Sequence, residues 1–277
     1  MVSLPTMATR PNFSEKIGSV PAQRILLPAT RAREGRSISS VREALDRCAM
    51  RSQDFPLFIG TSPNERSTIL GAARVRPFSR GETIYFEGDD LRQVMLLTFG
   101  SAKMVRYGED GSAVILRLCG PGELIGTLGK SLHGKYHCTS QAITSCSALT
   151  WDSEAFERLS TQFPQLRLNV AYVLYKLLQD MEDRFREIST QCVACRLSRQ
   201  VLRLLDQVGI RSNGVVQIEI TREELAQLIG TTLYTVSRLL SDWDRRGIVA
   251  TRREGFSVVN EGSLKTLVDD CGHDGSS

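Results

Sequence analysis

The sequence predicts an α+β chain: an antiparallel β-roll or jelly roll, then a long helix, then a compact unit of short helices and a β-hairpin. Three observations predict it. From about residue 74 to 152 apolar residues alternate with period two and are punctuated by glycine and aspartate. From 161 to 189 they return at helical spacing. From 221 to 260 two capped helical patterns meet at a glycine and run into a second alternating stretch. The length of 277 residues suggests two domains, at roughly 100–200 residues each.

Residues 1–53 form a basic extension with a net charge of +5. Its Pro, Ser, Thr and Arg without periodicity read as a disordered arm. An Arg-rich, acid-poor opening also fits an organellar transit peptide, or translation starting at Met50. Ser39 or Ser40 is placed to cap a short helix with Val41, Ala44, Leu45 and Cys48 on one face.

The roll is assigned to 54–160, a block of net charge close to zero. Its strands are read at Thr83-Ile84-Tyr85-Phe86, Val94 to Leu97, Met104 to Tyr107, Val114 to Leu118 and Ala148 to Trp151. Gly81, Gly88, Gly100, Gly111, Gly122 and Gly126 supply the corners, which need positive φ.

A helix over 161–190 carries Val170, Leu174, Leu177, Met181 and Ile188 at heptad spacing, with Arg184 at the one polar seam position. That stripe fits a helix packed on its own domain, but it is narrow enough to predict a dimer seam.

Residues 191–262 carry the sharpest pattern, and the block 190–260 has a net charge of +3. Thr221 with Glu224 is a capping box. Leu225, Leu228 and Ile229 give the helix an apolar face, and Ala226 lets a neighbour approach. Gly230 ends it in the left-handed position that a helix C-terminus prefers. Thr231 or Thr232 caps a second helix, which buries Val236, Leu239, Leu240 and Trp243. Thr232, Leu233, Tyr234, Thr235, Ser237, Arg238 and Ser241 face outward. Two short helices around a tight glycine turn make a helix-turn-helix, whose second helix fits the major groove of B-DNA. Ile248 to Asn260 reads as a hairpin wing turning near Glu254-Gly255, with Arg252 and Arg253 at the tip for phosphate contact. Residues 263–277 form an acidic tail, the stretch 261–277 having a net charge of −3.

The order of these parts resembles the Crp/Fnr family of bacterial transcription regulators. The resemblance is carried by TREELAQLIG-TTLYTVSRLL at 221–240, with RGETIYFEGDD at 80–90 and GELIGTLG at 122–129, and it covers about residues 54–262. It implies a cyclic-nucleotide-binding-like roll and a homodimer on a two-fold symmetric duplex DNA site, in contact with RNA polymerase. The family's recognition helix often begins Arg, Glu, small, Val, small, Arg. Here Arg238 matches, while Leu233 and Tyr234 stand where charged readout groups are usual, so the DNA target should differ.

In cyclic-nucleotide-binding relatives a Gly-Glu-Leu turn and an Arg-Ser pair hold the ligand. The corresponding residues here are Gly126, Thr127 and Leu128, then His137 and Cys138, so both charged partners are missing. The sequence therefore predicts a regulator that is not gated by cyclic AMP and holds no cofactor. Alternatives within the fold are gating by a cyclic nucleotide, by haem, or by thiol oxidation. Haem would require His133 or His137 as axial ligand. An iron–sulfur cluster of the family's pattern lacks its ligands, because Cys48 alone precedes the roll. Thiol sensing points to Cys192 and Cys195, although a regular helix would oppose so short a disulfide. An alternative of another class is a ligand-binding module acting on a protein partner, which has no need of a basic wing.

Three histidines, no P-loop, no HExxH and no zinc-ligand spacing argue against an enzyme and against a metal. No apolar stretch approaches a membrane span, the longest block being Val94-Met95-Leu96-Leu97, and no secretory leader is evident. With seven cysteines, an odd number, the expectation is a cytoplasmic protein with free thiols.

Overall fold

The computed structural model describes residues 55–126, 134–212 and 215–270. The basic extension, Thr127, Leu128, His133 and the last seven residues lie outside the described residues.

A 3-10 turn at Pro56–Phe58 and helix α1 (Pro63–Gly71) precede the roll. Among the described residues the roll has eight strands: β1 Arg74–Phe78, β2 Thr83–Tyr85, β3 Gln93–Phe99, β4 Ala102–Tyr107, β5 Ala113–Cys119, β6 Leu124–Ile125, β7 Thr139–Ala142 and β8 Cys146–Asp152. They form two antiparallel sheets, ordered β1-β8-β3-β6 and β2-β7-β4-β5. Strand β3 reads QVMLLTF because both faces of its sheet are covered. Met95 and Leu97 point into the roll with Phe78, Ile84, Tyr85, Met104 and Tyr136. Val94 and Leu96 point the other way, onto Phe55, Phe58, Ile69, Trp151, Phe156 and Leu166. Period two is thus kept while polarity does not alternate. Trp151 anchors that outer layer by donating its indole N–H to the Ile69 carbonyl at 2.8 Å.

Helix α2 (Ser153–Gln162) leads into the long helix α3 (Pro164–Thr190), with Pro164 at its first turn, where a missing N–H costs nothing. The proposed seam is divided by the structure. Val170 packs on the outer layer of the roll and Leu177 is half-buried, whereas Leu174, Met181 and Ile188 are exposed. The apolar face left open is broader, adding Leu168, Tyr172, Tyr175, Leu178 and Phe185, the last 75% exposed. A heptad stripe drifts around a straight helix, so one stripe read from sequence crosses from one face to the other.

The C-terminal unit comprises α4 (Val193–Gln207), β9 Ile210–Ser212, β10 Val215–Ile218, α5 (Arg222–Ile229), α6 (Leu233–Arg245), β11 Val249–Arg252, β12 Gly255–Val258 and α7 (Glu261–Asp270). Its sheet runs β11-β12-β10-β9. The predicted boundary at 262/263 moves outward, because Leu264 is fully buried in the core of this unit and Leu267 packs against it. Residues 261–270 are therefore a structural helix, and an acidic composition hid its two apolar anchors.

One hydrophobic core runs from this unit into the roll: Val105, Ile115, Leu118 and Ile143 join Leu197, Val201, Leu225 and Trp243. Among the described residues no helix is long and apolar enough to cross a membrane.

Candidate nucleic-acid interface

The two helices of the motif are set by their caps. Thr221 Oγ1 accepts from Glu224 N–H at 3.1 Å, and the Glu224 carboxylate accepts from Thr221 N–H at 2.9 Å, the reciprocal capping box the spacing predicts. Helix α5 ends at Gly230, whose φ of 66° and ψ of 55° a side chain would strain. Thr232, rather than Thr231, caps α6, its hydroxyl accepting from Thr235 N–H at 3.2 Å.

Helix α6 buries Val236, Leu240 and Trp243 and half-buries Leu239. Its opposite face carries exposed Thr232, Leu233, Tyr234, Arg238 and Ser241, with Thr235 and Ser237 half-buried at its edge. Tyr234 is 77% exposed. The apolar residues needed to hold α6 all lie on one side, which leaves the other side to a ligand.

The hairpin β11–β12 turns at Arg253-Glu254, as the alternating pattern predicts. The two arginines of the wing differ. Arg253 is exposed at the tip. Arg252 lies in the strand and donates to Gln217 Oε1 at 3.3 Å and to Ser257 Oγ, so part of its donor set is used inside the sheet. Glu254 at the tip pairs with Arg80 of the roll at 3.1 Å.

Contacts that sequence reasoning missed tie this unit to the rest of the chain. Glu224 of the capping box also accepts from Lys103 of β4, Nζ to Oε1 2.7 Å, and both side chains are mostly buried. Burial alone would raise the Glu224 carboxyl, but hydrogen bonds from Lys103 and Thr221 outweigh it and hold it below its ordinary range. Gln207, at the end of α4, donates to both Glu123 oxygens at 2.8 and 2.9 Å and to the Leu118 carbonyl at 2.8 Å. Burial raises the Glu123 carboxyl. Glu187, near the end of α3, receives both arms of Arg203 of α4 at 2.7 and 2.8 Å. The only signal for these pairs in the sequence is a charged residue in an apolar setting, and partners so far apart in the chain leave no spacing to read.

Of the ligand-pocket candidates inside the roll, Gly126, His137 and Cys138 are among the described residues. His137 is exposed, while Cys138 turns inward, as successive strand residues must. Gly126 has a φ of 91°, and a side chain there would meet the Tyr136 ring at 3.0 Å. That ring stacks on Tyr85 with centroids 3.8 Å apart and planes 12° from parallel. A charged group does lie within the roll, at a position that motif reading passed over. Arg117 donates from Nε to Met104 Sδ at 3.0 Å and from Nη2 to the Leu124 carbonyl. Among the described residues no cluster of three or more His, Cys, Asp or Glu side chains is placed to hold a metal ion.

Cys192 and Cys195 are brought together, Sγ to Sγ 2.7 Å. Cys192 stands outside the helix. It is the N-cap of α4, in extended backbone with φ −65° and ψ 158°.

Comparison with known proteins agrees with this architecture. The cyclic nucleotide-binding domain model matches residues 75–163, and the Crp-like helix-turn-helix domain model matches residues 195–267. Together they span more than half the chain. The CRP-like cAMP-activated global transcriptional regulator of Mycobacterium tuberculosis is 26% identical over 205 residues, 73% of this chain and 91% of the relative. The cyclic AMP receptor protein of Thermus thermophilus is 28% identical over 194 residues, 70% of this chain and 88% of the relative. Among solved structures, FixK2 from Bradyrhizobium japonicum superposes with a TM-score of 0.62 at 20% identity, covering 70% of this chain and 96% of its own. The c-di-GMP responsive global regulator CLP of Xanthomonas campestris gives 0.61 at 18% identity, covering 71% and 99%. These two likenesses speak for the fold.

Proposed function

This chain belongs to the Crp/Fnr family of DNA-binding transcription regulators, and from that membership we propose that it acts in the cytoplasm as a homodimer on a two-fold symmetric DNA site, without cyclic AMP as its switch. The observation that carries the reading is the division of α6. Its apolar half is buried, and Leu233, Tyr234, Arg238 and Ser241 are turned out where a major groove fits. Arg253 at the wing tip supplies a phosphate contact. RNA polymerase is the protein partner that the family implies. Membership in a family of transcription regulators supports a non-catalytic reading.

The dimer is supported by the open face of α3. Leu168, Tyr172, Leu178, Met181 and Phe185 form a continuous exposed apolar stripe, and a surface of that kind is covered in stable proteins. A second copy of the same helix fits it, because a self-complementary stripe closes under two-fold symmetry. Replacing Phe185 with Glu is expected to shift the protein from dimer to monomer in sedimentation velocity. A dimer of unchanged stability would refute the seam.

Independence of cyclic AMP is supported by two features. The Arg-Ser pair that would neutralise the cyclic phosphate is His137-Cys138, with His137 pointing out of the roll. The Tyr85–Tyr136 stack also occupies the interior beside Gly126. Relatives whose names carry different second messengers, cyclic AMP in one and c-di-GMP in another, agree with a roll whose ligand is not fixed by the fold. In a calorimetric titration, cyclic AMP is expected to give no binding heat at micromolar concentration and no gain in DNA affinity. Micromolar binding with tighter DNA association would overturn the reading.

A further inference from the structure

We propose that the interior of the roll holds a binding site for a small monocarboxylate with an apolar body, built from Arg117, Ser140 and Tyr85. This rests on the reading that cyclic AMP is not the ligand of the roll, and it names a ligand class in its place.

Strand register puts these residues in one row. Tyr85 of β2 pairs with Ser140 of β7, Ser140 with Met104 of β4, and Met104 with Arg117 of β5. Paired residues share a face of their sheet, and Tyr85 and Met104 belong to the core inside the roll, so the row faces inward. Ser140 Oγ is fully buried without a hydrogen-bond partner, and the buried Tyr85 hydroxyl has no partner but the Cys138 thiol. A buried hydroxyl left unpaired is costly, and two in one row mark a place built for an acceptor. Burial drives the Tyr85 phenol above its ordinary range, so it stays protonated and able to donate.

Arg117 supplies the charge. It is half-buried, and its head crosses from β5 to the opposite sheet, where Nη2 donates to the Leu124 carbonyl of β6. Its Nε is left with the Met104 thioether at 3.0 Å, a weak acceptor. None of the ion pairs among the described residues includes it. Glu123, the carboxylate that bears on it, has its oxygens on the Gly120 N–H and the Gln207 amide. The neighbouring thiols bring no charge, since burial pushes Cys119 up to about 12 and raises Cys138. A guanidinium so placed favours a carboxylate that fills its fork. The walls around it, Met95, Leu97, Ile125 and Tyr136, are apolar and would leave a second negative charge uncompensated. They select a monoanion with an apolar body over a phosphate. Met104, flexible and central to the row, is what the ligand displaces: one carboxylate oxygen replaces its sulfur at Arg117 Nε, and the other accepts from Ser140.

The site is placed to act on the C-terminal unit. Successive strand residues face opposite sides, so each inward residue of β4 and β5 has an outward neighbour. Lys103, beside Met104, pairs with Glu224 of α5. Leu118, beside Arg117, joins the core that the roll shares with the C-terminal unit. A ligand that shifts the row therefore bears on the first helix of the helix-turn-helix.

Calorimetric titration of the full-length protein with butyrate, octanoate and benzoate, each beside its uncharged amide, tests the site. At least one acid is expected to bind saturably, with its amide about tenfold or more weaker for want of charge-assisted hydrogen bonds. Arg117→Lys keeps the charge without the fork, and Ser140→Ala removes one donor. Each is expected to weaken the acid about fivefold or more. Should Arg117→Lys fail to fold, Ser140→Ala and the amide comparison decide. Saturable binding of none of the acids overturns the proposal, as does equal affinity for acid and amide, or unchanged affinity in the folded variants. Displacement of the acid by equimolar inorganic phosphate would make this a general anion site and overturn the carboxylate assignment. Cyclic AMP is titrated in parallel. Silence of both the acids and cyclic AMP overturns this site alone. An acid lost on Arg117→Lys, in a protein that also binds micromolar cyclic AMP, would leave the site standing and refute the reading of the roll as independent of cyclic AMP.

Discussion

Arg238→Ala is expected to weaken binding to the cognate two-fold site far more than binding to random-sequence DNA. The side chain is exposed on the outer face of α6, and none of the ion pairs among the described residues engages it, so its guanidinium remains available to a base edge. A bidentate arginine on guanine discriminates by about 1–3 kcal/mol per half-site. A phosphate contact would instead weaken all sequences alike and flatten the salt dependence by about one counterion per contact. Fluorescence anisotropy on a genomically selected site and on a scrambled duplex, each over a range of salt, separates the two. Equal losses on both duplexes with a flatter salt slope would move Arg238 from base reading to phosphate. Leu233 and Tyr234 precede it with no charge to offer, which suits contact with thymine methyl groups.

Removing the carboxylate of Glu187 is expected to produce a large loss of stability. Glu187 is 5% exposed at the end of the long helix, and it receives two hydrogen bonds from Arg203. Truncating one partner of a buried pair costs about 3–5 kcal/mol, because the other charge is left uncompensated. Arg203 is 36% exposed, so water partly replaces the carboxylate, and about 3 kcal/mol is expected for Glu187→Ala. Glu187→Gln keeps the shape and one acceptor, and should lose less. Urea unfolding of both variants measures this. A loss below about 1 kcal/mol would class the pair with exposed surface bridges, which contribute little. Because the pair joins α3 to α4 beside the Gln191-Cys192 connector, Glu187→Ala should also loosen the domain arrangement and increase tryptic cleavage at Arg196.

Much of the C-terminal unit was legible because its signals are local. Thr221, Glu224, Gly230 and Thr232 each act within four residues of their own position, through a cap or a left-handed turn. The wing was equally legible, as two alternating runs around a tight turn. In the roll, β2 to β5 and β8 are readable from period two, but β1 and β7 are not. Strand β1 reads RVRPF and includes Pro77, and β7 reads TSQA, polar yet almost wholly buried. Both are strands because neighbours pair with them. Helix α7 was missed for a related reason, since Leu264 and Leu267 are a thin apolar pattern amid acids and glycine.

The candidate sites divide in the same way. Side-chain spacing alone located the outward face of α6 and named both cysteines, because helical periodicity and a Cys-x-x-Cys step are properties of the chain. Which faces of α3 are covered, where His137 points, which arginine of the wing is engaged, and that Cys192 caps a helix instead of lying within it all depend on distant segments. Glu187 with Arg203, Lys103 with Glu224, and Arg196 with the α5 carbonyls are assigned by packing, since hydrogen bonds between elements obey no sequence period. Local backbone chemistry is written in adjacent residues, whereas partnership across the fold follows from which surfaces the core brings together.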